Sequence, residues 1–489
     1  MPDRDVSSVR VSGRSANLER AVEALCAEQL AGIVDLVAYP EPGAVVVANS
    51  DGASRLFPDG TVAERLWGAD PVAAQDPLAF ATIEGERADP SPPNSRNSYP
   101  HAAVRLHSLF ADPRAPDIAV VHTGRHFWPE RGGHLGEHGS LGVVQSRAPL
   151  LLSGPGIAGR GLLSRAARVV DIAPTMAWLS GVDLDRLSEL DGSALVDLAE
   201  RGAPRVVGLL WDGANSNSLL ELAGSGELPA VARLLESGCA LAGGAVAEFP
   251  SVTLVNHTSA LTGVGPGRHG IVHNAYFDRA LDERVVPNDS GNWHRAMDWL
   301  RPGVSTVFEW VDGPTACVND PVDRGADYST FGLIRDSRES GGANAFRSSL
   351  PDPREDRHAT QEFVADGDYA WSTQVDAAGL SQMLGLWATF AAAPRLTWWN
   401  TTLTDTGHHN GGPHSRSAHA ALRDADRRLG AFLDHLDRVG GMDDTVFLLT
   451  ADHGSEGADP SCRGDWDEAL REAGIAFRDE AYGFLYLGV

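Results

Sequence analysis

The chain has 489 residues, 43% of them hydrophobic, which is enough for one large α/β domain with insertions or for two to three ordinary domains. Its formal net charge of −26 repels nucleic acid and anionic membrane surfaces, although bound cations would reverse the field locally for a small anionic substrate. All 40 basic residues are arginine, which excludes a P-loop lysine, a Schiff-base lysine and a lysine general base.

Helical periodicity is predicted first over residues 17–30. Short β-branched runs at 44–49 and 118–123 then read as strands. Residues 74–100, rich in Pro, Ser, Gly and charge, predict a loop that could cover a site, as do residues 335–358. Residues 181–205 read as a linker. Beyond it lie strands at 206–212, 396–405 and 446–452, with helices at 218–237 and 418–439. Near-continuous apolar runs alternating with helices predict a doubly wound, mostly parallel α/β sheet. In such sheets ligands gather at the carboxyl ends of strands, where Asp212, Asp405 and Asp452 all fall.

Cys26, Cys239, Cys317 and Cys462 form no C-x-x-C pair, so neither a disulfide framework nor a thiolate zinc site is expected. The first residues carry no apolar signal-like region, and no apolar run approaches the ~20 residues of a membrane span. The expectation is a cytoplasmic protein without membrane or nucleic-acid partners.

The polar residues between these runs carry the chemistry. Asp452-His453-Gly454 sets a carboxylate beside an imidazole, a pairing that a plain loop also explains. Asp405 and His409 have the spacing Asp-x-x-x-His, with His408 the competing imidazole. Asp212 precedes Gly213 and serves equally well as a helix N-cap. Thr253, in Phe-Pro-Ser-Val-Thr-Leu-Val-Asn-His, precedes a small-residue helix whose N-terminal amides favour an anionic phosphoryl group; turn and capping roles for Ser251 and Thr253 are the plainer reading. Two metals roughly 4 Å apart would polarise both the attacking and the leaving oxygen of an in-line displacement.

The stretch 249–274, with the Asp212, Asp405/His409 and Asp452-His453 segments in register, resembles the type I phosphodiesterase and nucleotide pyrophosphatase branch of the alkaline phosphatase superfamily. The resemblance implies Thr253 as nucleophile and Asn274 as donor to a phosphoryl oxygen. It implies one metal at Asp212, Thr253, Asp452 and His453, and a second at Asp405, His409 and a final histidine. Only His138, in Glu-His-Gly-Ser-Leu, fits that last place, with His134 competing. His138 precedes every other ligand, so the resemblance implies a circular permutation. Residues 1–204 would then be the family's C-terminal part and residues 205–489 its N-terminal part, together one catalytic domain. The two termini are accordingly expected in neighbouring strands, Val6–Val11 and Tyr482–Leu487.

The implied activity is two-metal hydrolysis of phosphodiester or pyrophosphate bonds through a covalent threonine intermediate, with zinc expected and manganese or iron as alternatives. The partner is a small phosphate ester; the oligomeric state stays open. A phosphomonoesterase or phosphonate hydrolase on the same scaffold is the alternative, and a catalytically silent metal-binding protein a further one. Leu254 stands where nucleotide-cleaving relatives carry an aromatic, so little gain from a nucleobase is expected unless Tyr276 or Phe277 replaces it.

Overall fold

The computed structural model describes residues 16–59, 63–336 and 349–488. Its centre is an eight-stranded sheet in the order Tyr328–Ser329, Thr315–Val318, Leu396–Thr401, Arg205–Trp211, Thr445–Thr450, Leu150–Ser153, Gly238–Leu241 and Gly161–Leu163. The first five run parallel; Leu150–Ser153 is antiparallel to both its neighbours. Side chains of the three central strands are buried almost throughout, as near-continuous Val, Leu and Trp runs require of a sheet covered on both faces. The α/β expectation is met.

The register decides where the chemistry sits. Trp211 pairs with Thr401 and Leu210 with Thr450, so the three parallel strands end side by side. Asp212, the Asp405 segment and Asp452 therefore emerge at one edge. Thr402, Leu403, Thr404 and Asp405 do not continue the strand expected over 396–405. It ends at Thr401, and Asp405 and His409 lie on the helix Leu403–Gly411. The cause is remote: Asp376 accepts hydrogen bonds from the Thr402 and Leu403 amides at 2.8 and 3.1 Å, satisfying the first donors of that helix.

Other expectations shift as well. The helix expected over 218–237 is two, Ser216–Gly224 and Pro229–Glu236, because Gly226 turns with φ +81° and Pro229 starts a new helix. The helix over 17–30 ends at Leu25, followed by a 3₁₀ turn at Glu28–Leu30. That over 418–439 is the long helix Arg416–Val439, capped by Ser415 and closed by Gly440 at φ +72°. Residues 181–205 are no free linker, since Leu187, Leu195, Leu198 and Ala199 enter the main core. Nor is 74–100 a loose lid: Arg147 holds the carbonyls of Pro77, Ala79 and Phe80, and Thr82 caps a helix at Ile83–Ala88. Of the second proposed lid, residues 337–348 lie outside the described residues.

A second sheet has seven strands, in the order Phe477–Glu480, Phe484–Leu487, Ile118–His122, Val34–Glu41, Ala44–Ala48, Gly52–Leu56 and Ala63–Gly68. The runs at 44–49 and 118–123 are thus strands, but antiparallel rather than parallel. They are apolar on both faces because alternate residues feed two cores. Leu36, Ala38, Val45 and Val47 pack with the helix Ala102–Phe110, while Val37, Tyr39, Val46 and Ala48 pack with the helices Ala16–Leu25 and Trp466–Glu472. Phe484–Leu487 is the strand expected near the C-terminus; residues 6–11 lie outside the described residues. Among the described residues no helix is long and apolar enough to cross a membrane.

Candidate active site

Thr253 is the first residue of the helix Thr253–Thr262, where the opening amides have no partner within the helix. It lines a cavity of about 660 Å³ together with His138, Asn274, Asp405 and His409. Asn274 accepts a hydrogen bond from the Leu254 amide through Oδ1 at 2.9 Å, which fixes its side-chain amide beside Thr253. Asp212 does not cap a helix; Asn215 does, accepting from the Ser218 amide.

The structure brings the six expected carboxylates and imidazoles into two groups, Asp212 with Asp452 and His453, and His138 with Asp405 and His409. Within each group the candidate ligand atoms lie no more than 4.8 Å apart. His409 Nε2 is 3.3 Å from Asp405 Oδ2, and His138 Nε2 is 3.9 Å from Asp405 Oδ1. His453 Nε2 stands 3.0 Å from Asp452 Oδ2 and 3.9 Å from Asp212 Oδ1. The rings of His138 and His453 stack with centroids 3.7 Å apart, joining the groups into one site. The antiparallel pairing of Gly136–Glu137 with Glu456–Gly457 sets His138 beside the Asp452-His453 loop despite the distance in sequence.

All three histidines are oriented alike. A carbonyl oxygen only accepts, so Nδ1–H donates in each: from His138 to Ser251 O at 3.0 Å, from His409 to Gly136 O at 2.7 Å, and from His453 to Gly454 O at 2.9 Å. That leaves each Nε2 turned toward the carboxylates, the orientation of metal-ligating imidazoles. His408 differs: its Nδ1 bonds Thr404 O and its Nε2 accepts from the Asn215 amide, so both nitrogens are engaged. Asp212 Oδ1 is buried without a hydrogen-bond partner, and Asp452 Oδ2 and His453 Nε2 face one another at 3.0 Å with no further partner, an arrangement that costs free energy unless a cation completes it. The donor set of carboxylates and imidazoles suits zinc, manganese or iron.

Electrostatics agree with closely packed opposite charges. Burial opposes charge on His409 and His453, but the adjoining Asp405 and Asp452 carboxylates outweigh it and lift them to about 10 and about 9. Burial and the Asp452 charge together push Asp212 up, to about 7. For Asp405 burial works upward, yet His409 and His138 pull it below the usual carboxylate range.

Two residues lay outside the sequence expectation. His257, one turn after Thr253, points Nε2 at Asp212 Oδ2 and Asp452 Oδ2, 3.6 Å from each. Its Nδ1 meets Asp320 Oδ2 at 2.8 Å, and Trp398 Nε1 donates to the same oxygen at 2.8 Å. Burial opposes a charge on His257, but Asp320 and the two ligand-group carboxylates override it and raise it well above its ordinary value. The i, i+4 spacing from Thr253 was the available signal for His257; Asp320 had none beyond following an apolar run. Among the cavity-lining residues the arginine is Arg284, held by Glu480 at 2.7 Å.

The aromatic expectations change. Leu254 belongs to the main core, and Tyr276 and Phe277 are buried in the second sheet's core, so none of the three faces the cavity. The aromatic wall is instead Trp128, Phe249, Tyr482 and Phe484, with Trp128 and Tyr482 stacked at 5.2 Å.

Residues 206–488 match the type I phosphodiesterase / nucleotide pyrophosphatase family. The chain belongs to that family. Through it the protein joins the alkaline phosphatase superfamily. Among solved structures it is similar to murine ectonucleotide pyrophosphatase/phosphodiesterase 5, with 16% identity over 57% of this chain and 64% of that one, at a TM-score of 0.39. It is also similar to phosphonoacetate hydrolase from Sinorhizobium meliloti 1021, with 25% identity over 52% of this chain and 58% of that one, at a TM-score of 0.34. Human ectonucleotide pyrophosphatase/phosphodiesterase 5 shares 13% identity over 51% of this chain and 57% of that one, at a TM-score of 0.33. The matched portion spans less than two thirds of the length of each of these relatives.

Proposed function

We propose that this family member hydrolyses small phosphodiester or pyrophosphate substrates with Thr253 as nucleophile and two divalent cations, zinc foremost. The carrying observation is the common orientation of His138, His409 and His453, each donating Nδ1–H to a backbone carbonyl and leaving Nε2 beside carboxylates. Asp212, Thr253, Asp452 and His453 would hold one ion, and Asp405, His409 and His138 the other. When bound, the ions supply polarisation of the attacking and leaving oxygens.

The protein's own contribution is positioning. Thr253 Oγ forms a bond to phosphorus as the bond to the leaving oxygen breaks, giving a phosphothreonine and the alcohol or phosphate leaving group. Water then attacks phosphorus and returns the Thr253 hydroxyl. Asn274, fixed by its bond to the Leu254 amide, orients its Nδ2–H₂ toward a phosphoryl oxygen. Diesters are favoured over monoesters because a monoester's extra charge calls for a guanidinium grip, and Arg284 is already engaged by Glu480.

We also read the chain as circularly permuted, residues 1–204 and 205–489 composing one catalytic domain. In support, segments from both ends share the seven-stranded sheet, where the Asp117 amide donates to Leu485 O and the Val120 amide to Gly483 O. A reordered chain beginning at Arg205 and ending at Ala203, with Val489 joined to Met1, is expected to fold and stay active.

The deciding experiment pairs metal analysis with a chromogenic diester assay on the wild type and Thr253→Ala. Two ions per chain, turnover in the wild type and loss of it in the variant are expected. Turnover without metal, or near-native turnover of Thr253→Ala, would overturn the reading.

A further inference from the structure

Overlapping the second group at His409 lies a third, His134, Glu137 and His409, whose candidate ligand atoms also lie within 4.8 Å of one another. His134 Nδ1 is 3.3 Å from Glu137 Oε1, and the His134 and His409 rings have centroids 4.0 Å apart. The group is built rather than incidental. The Leu135 amide donates to His409 O at 2.8 Å, and Gly136 sits so close to the helix that a Cβ there would meet His408 O at 2.3 Å. His134 and Glu137 are thus pinned against the helix that carries Asp405 and His409.

His409 belongs to both groups, yet it has one lone pair to offer. Its Nδ1–H is committed to Gly136 O, so Nε2 serves one cation at a time. The two groups are therefore alternative positions for the same ion. They differ in access: the His134 side chain is 39% exposed, against 12% for His138 and 22% for Asp405. His134 also lines both the 660 Å³ cavity and another of about 440 Å³, as Asp405 and His409 do. His134 is the most exposed side chain of either group and so the one an ion from solvent reaches most readily.

We propose that His134, Glu137 and His409 form an outer divalent-cation site, from which an ion is handed inward to Asp405, His409 and His138. The transfer exchanges His134 and Glu137 for His138 and Asp405 while His409 stays attached, so the ion is never stripped of all its protein ligands. This inference rests on the assignment of Asp405, His409 and His138 as an inner site.

The test uses metal-free full-length protein and zinc itself, with uptake followed by stopped flow against a fluorescent zinc chelator. His134→Ala and Glu137→Gln are expected to reach the same final content of two ions as the wild type, with the second ion entering about tenfold or more slowly. Equal uptake rates in wild type and variants would overturn the transfer site. A second measurement fixes the location. Asp405→Asn, an isosteric change, should still retain a weakly held second ion through the outer group, and adding His134→Ala should release it. If the double variant holds that ion as well as Asp405→Asn does, the outer site is refuted. If Asp405→Asn alone leaves the second ion as tightly bound as in wild type, the inner-site assignment itself fails.

Discussion

Gly213→Ala is the most informative single substitution, because one added methyl strikes Asp405 from a residue that adjoins Asp212 and holds Asp452. Gly213 follows Asp212, donates its amide to Asp452 Oδ1 at 3.0 Å, and has φ +61°. A Cβ at this position would lie 2.5 Å from Asp405 Oδ1 and 3.2 Å from Asp405 Cβ and Cγ. Ordinary contact begins near 3.4 Å, so Oδ1 must retreat by about 0.9 Å or the loop must move instead. That is several times the ~0.2 Å tolerance of a metal–ligand bond. Affinity for the second ion should fall about 10- to 100-fold, and turnover at fixed metal by a similar factor. The left-handed backbone adds a separate penalty of roughly 1–2 kcal/mol for an L side chain. That penalty acts on the folded chain with or without metal, so melting of the metal-free variant reports it, together with the cost of moving Asp405, apart from any loss of metal. Zinc titration by calorimetry and a diester assay at several zinc concentrations complete the comparison. Two ions bound at wild-type affinity, with turnover within about threefold, would refute the placement of Asp405 beside Gly213 in a metal site.

Thr253→Ala should keep its fold and, at saturating zinc, still hold two ions through the remaining ligands, but lose most of kcat, while Thr253→Ser retains part of it; the readout is diester turnover beside zinc content. Zinc binding near pH 7 should release protons, because His409 at about 10 and His453 at about 9 are charged in the metal-free chain and must give up Nε2–H to ligate. Affinity then rises with pH, and calorimetry in buffers of different ionisation enthalpy would register a failure to release protons. Asp35, lifted to about 6 mainly by burial, binds its proton more tightly folded than unfolded, so stability falls as pH rises from about 4 through 6. Asp35→Asn should melt progressively higher than wild type as pH passes from 4.5 to 7.5 across that window; a constant difference would exclude Asp35 as the cause. A nucleoside diester should be cleaved less than about a hundredfold better in kcat/KM than a simple aryl diester, since Leu254 beside the nucleophile offers no ring to a base; a larger preference would assign the base to the wall of Trp128 and Tyr482 instead.

How far the site could be read in advance follows from how each residue is held. Asp212 and Asp452 were legible because parallel strands announce themselves as apolar runs, and their carboxyl ends fall together by topology. Asp405 was identified but misplaced on its element: Thr402, Leu403 and Thr404 look like strand, and only Asp376, far back in the sequence, makes the chain turn into a helix there. His138 was legible through family resemblance alone, since the Gly136–Glu137 pairing with Glu456–Gly457 that places it is a long-range contact. His257 and Asp320 were missed for the same reason, their meeting being tertiary. The direction of the strands at 44–49 and 118–123 escaped too. Burial on both faces was readable, but not that two separate cores, built from helices near opposite ends of the chain, would provide it.

The charge balance of the site sets an order of events. Asp212, Asp405 and Asp452 converge beside Thr253, with Asp320 behind His257 and Glu137 at the rim, in a chain that already carries −26 overall. The nearby cationic partners in the metal-free state are imidazoles, and these must surrender their protons to act as ligands. A phosphoryl anion entering the cavity first would meet carboxylates that the charged imidazoles of His257, His409 and His453 offset without leaving a net positive field to hold it. Cations entering first find the unsatisfied oxygens of Asp212 and Asp452 and convert the same cavity into an anion site. On this reading the metal ions are a precondition of substrate binding as well as of chemistry. The absence of lysine from the chain is then no handicap, because the positive field that substrate requires is not supplied by side chains.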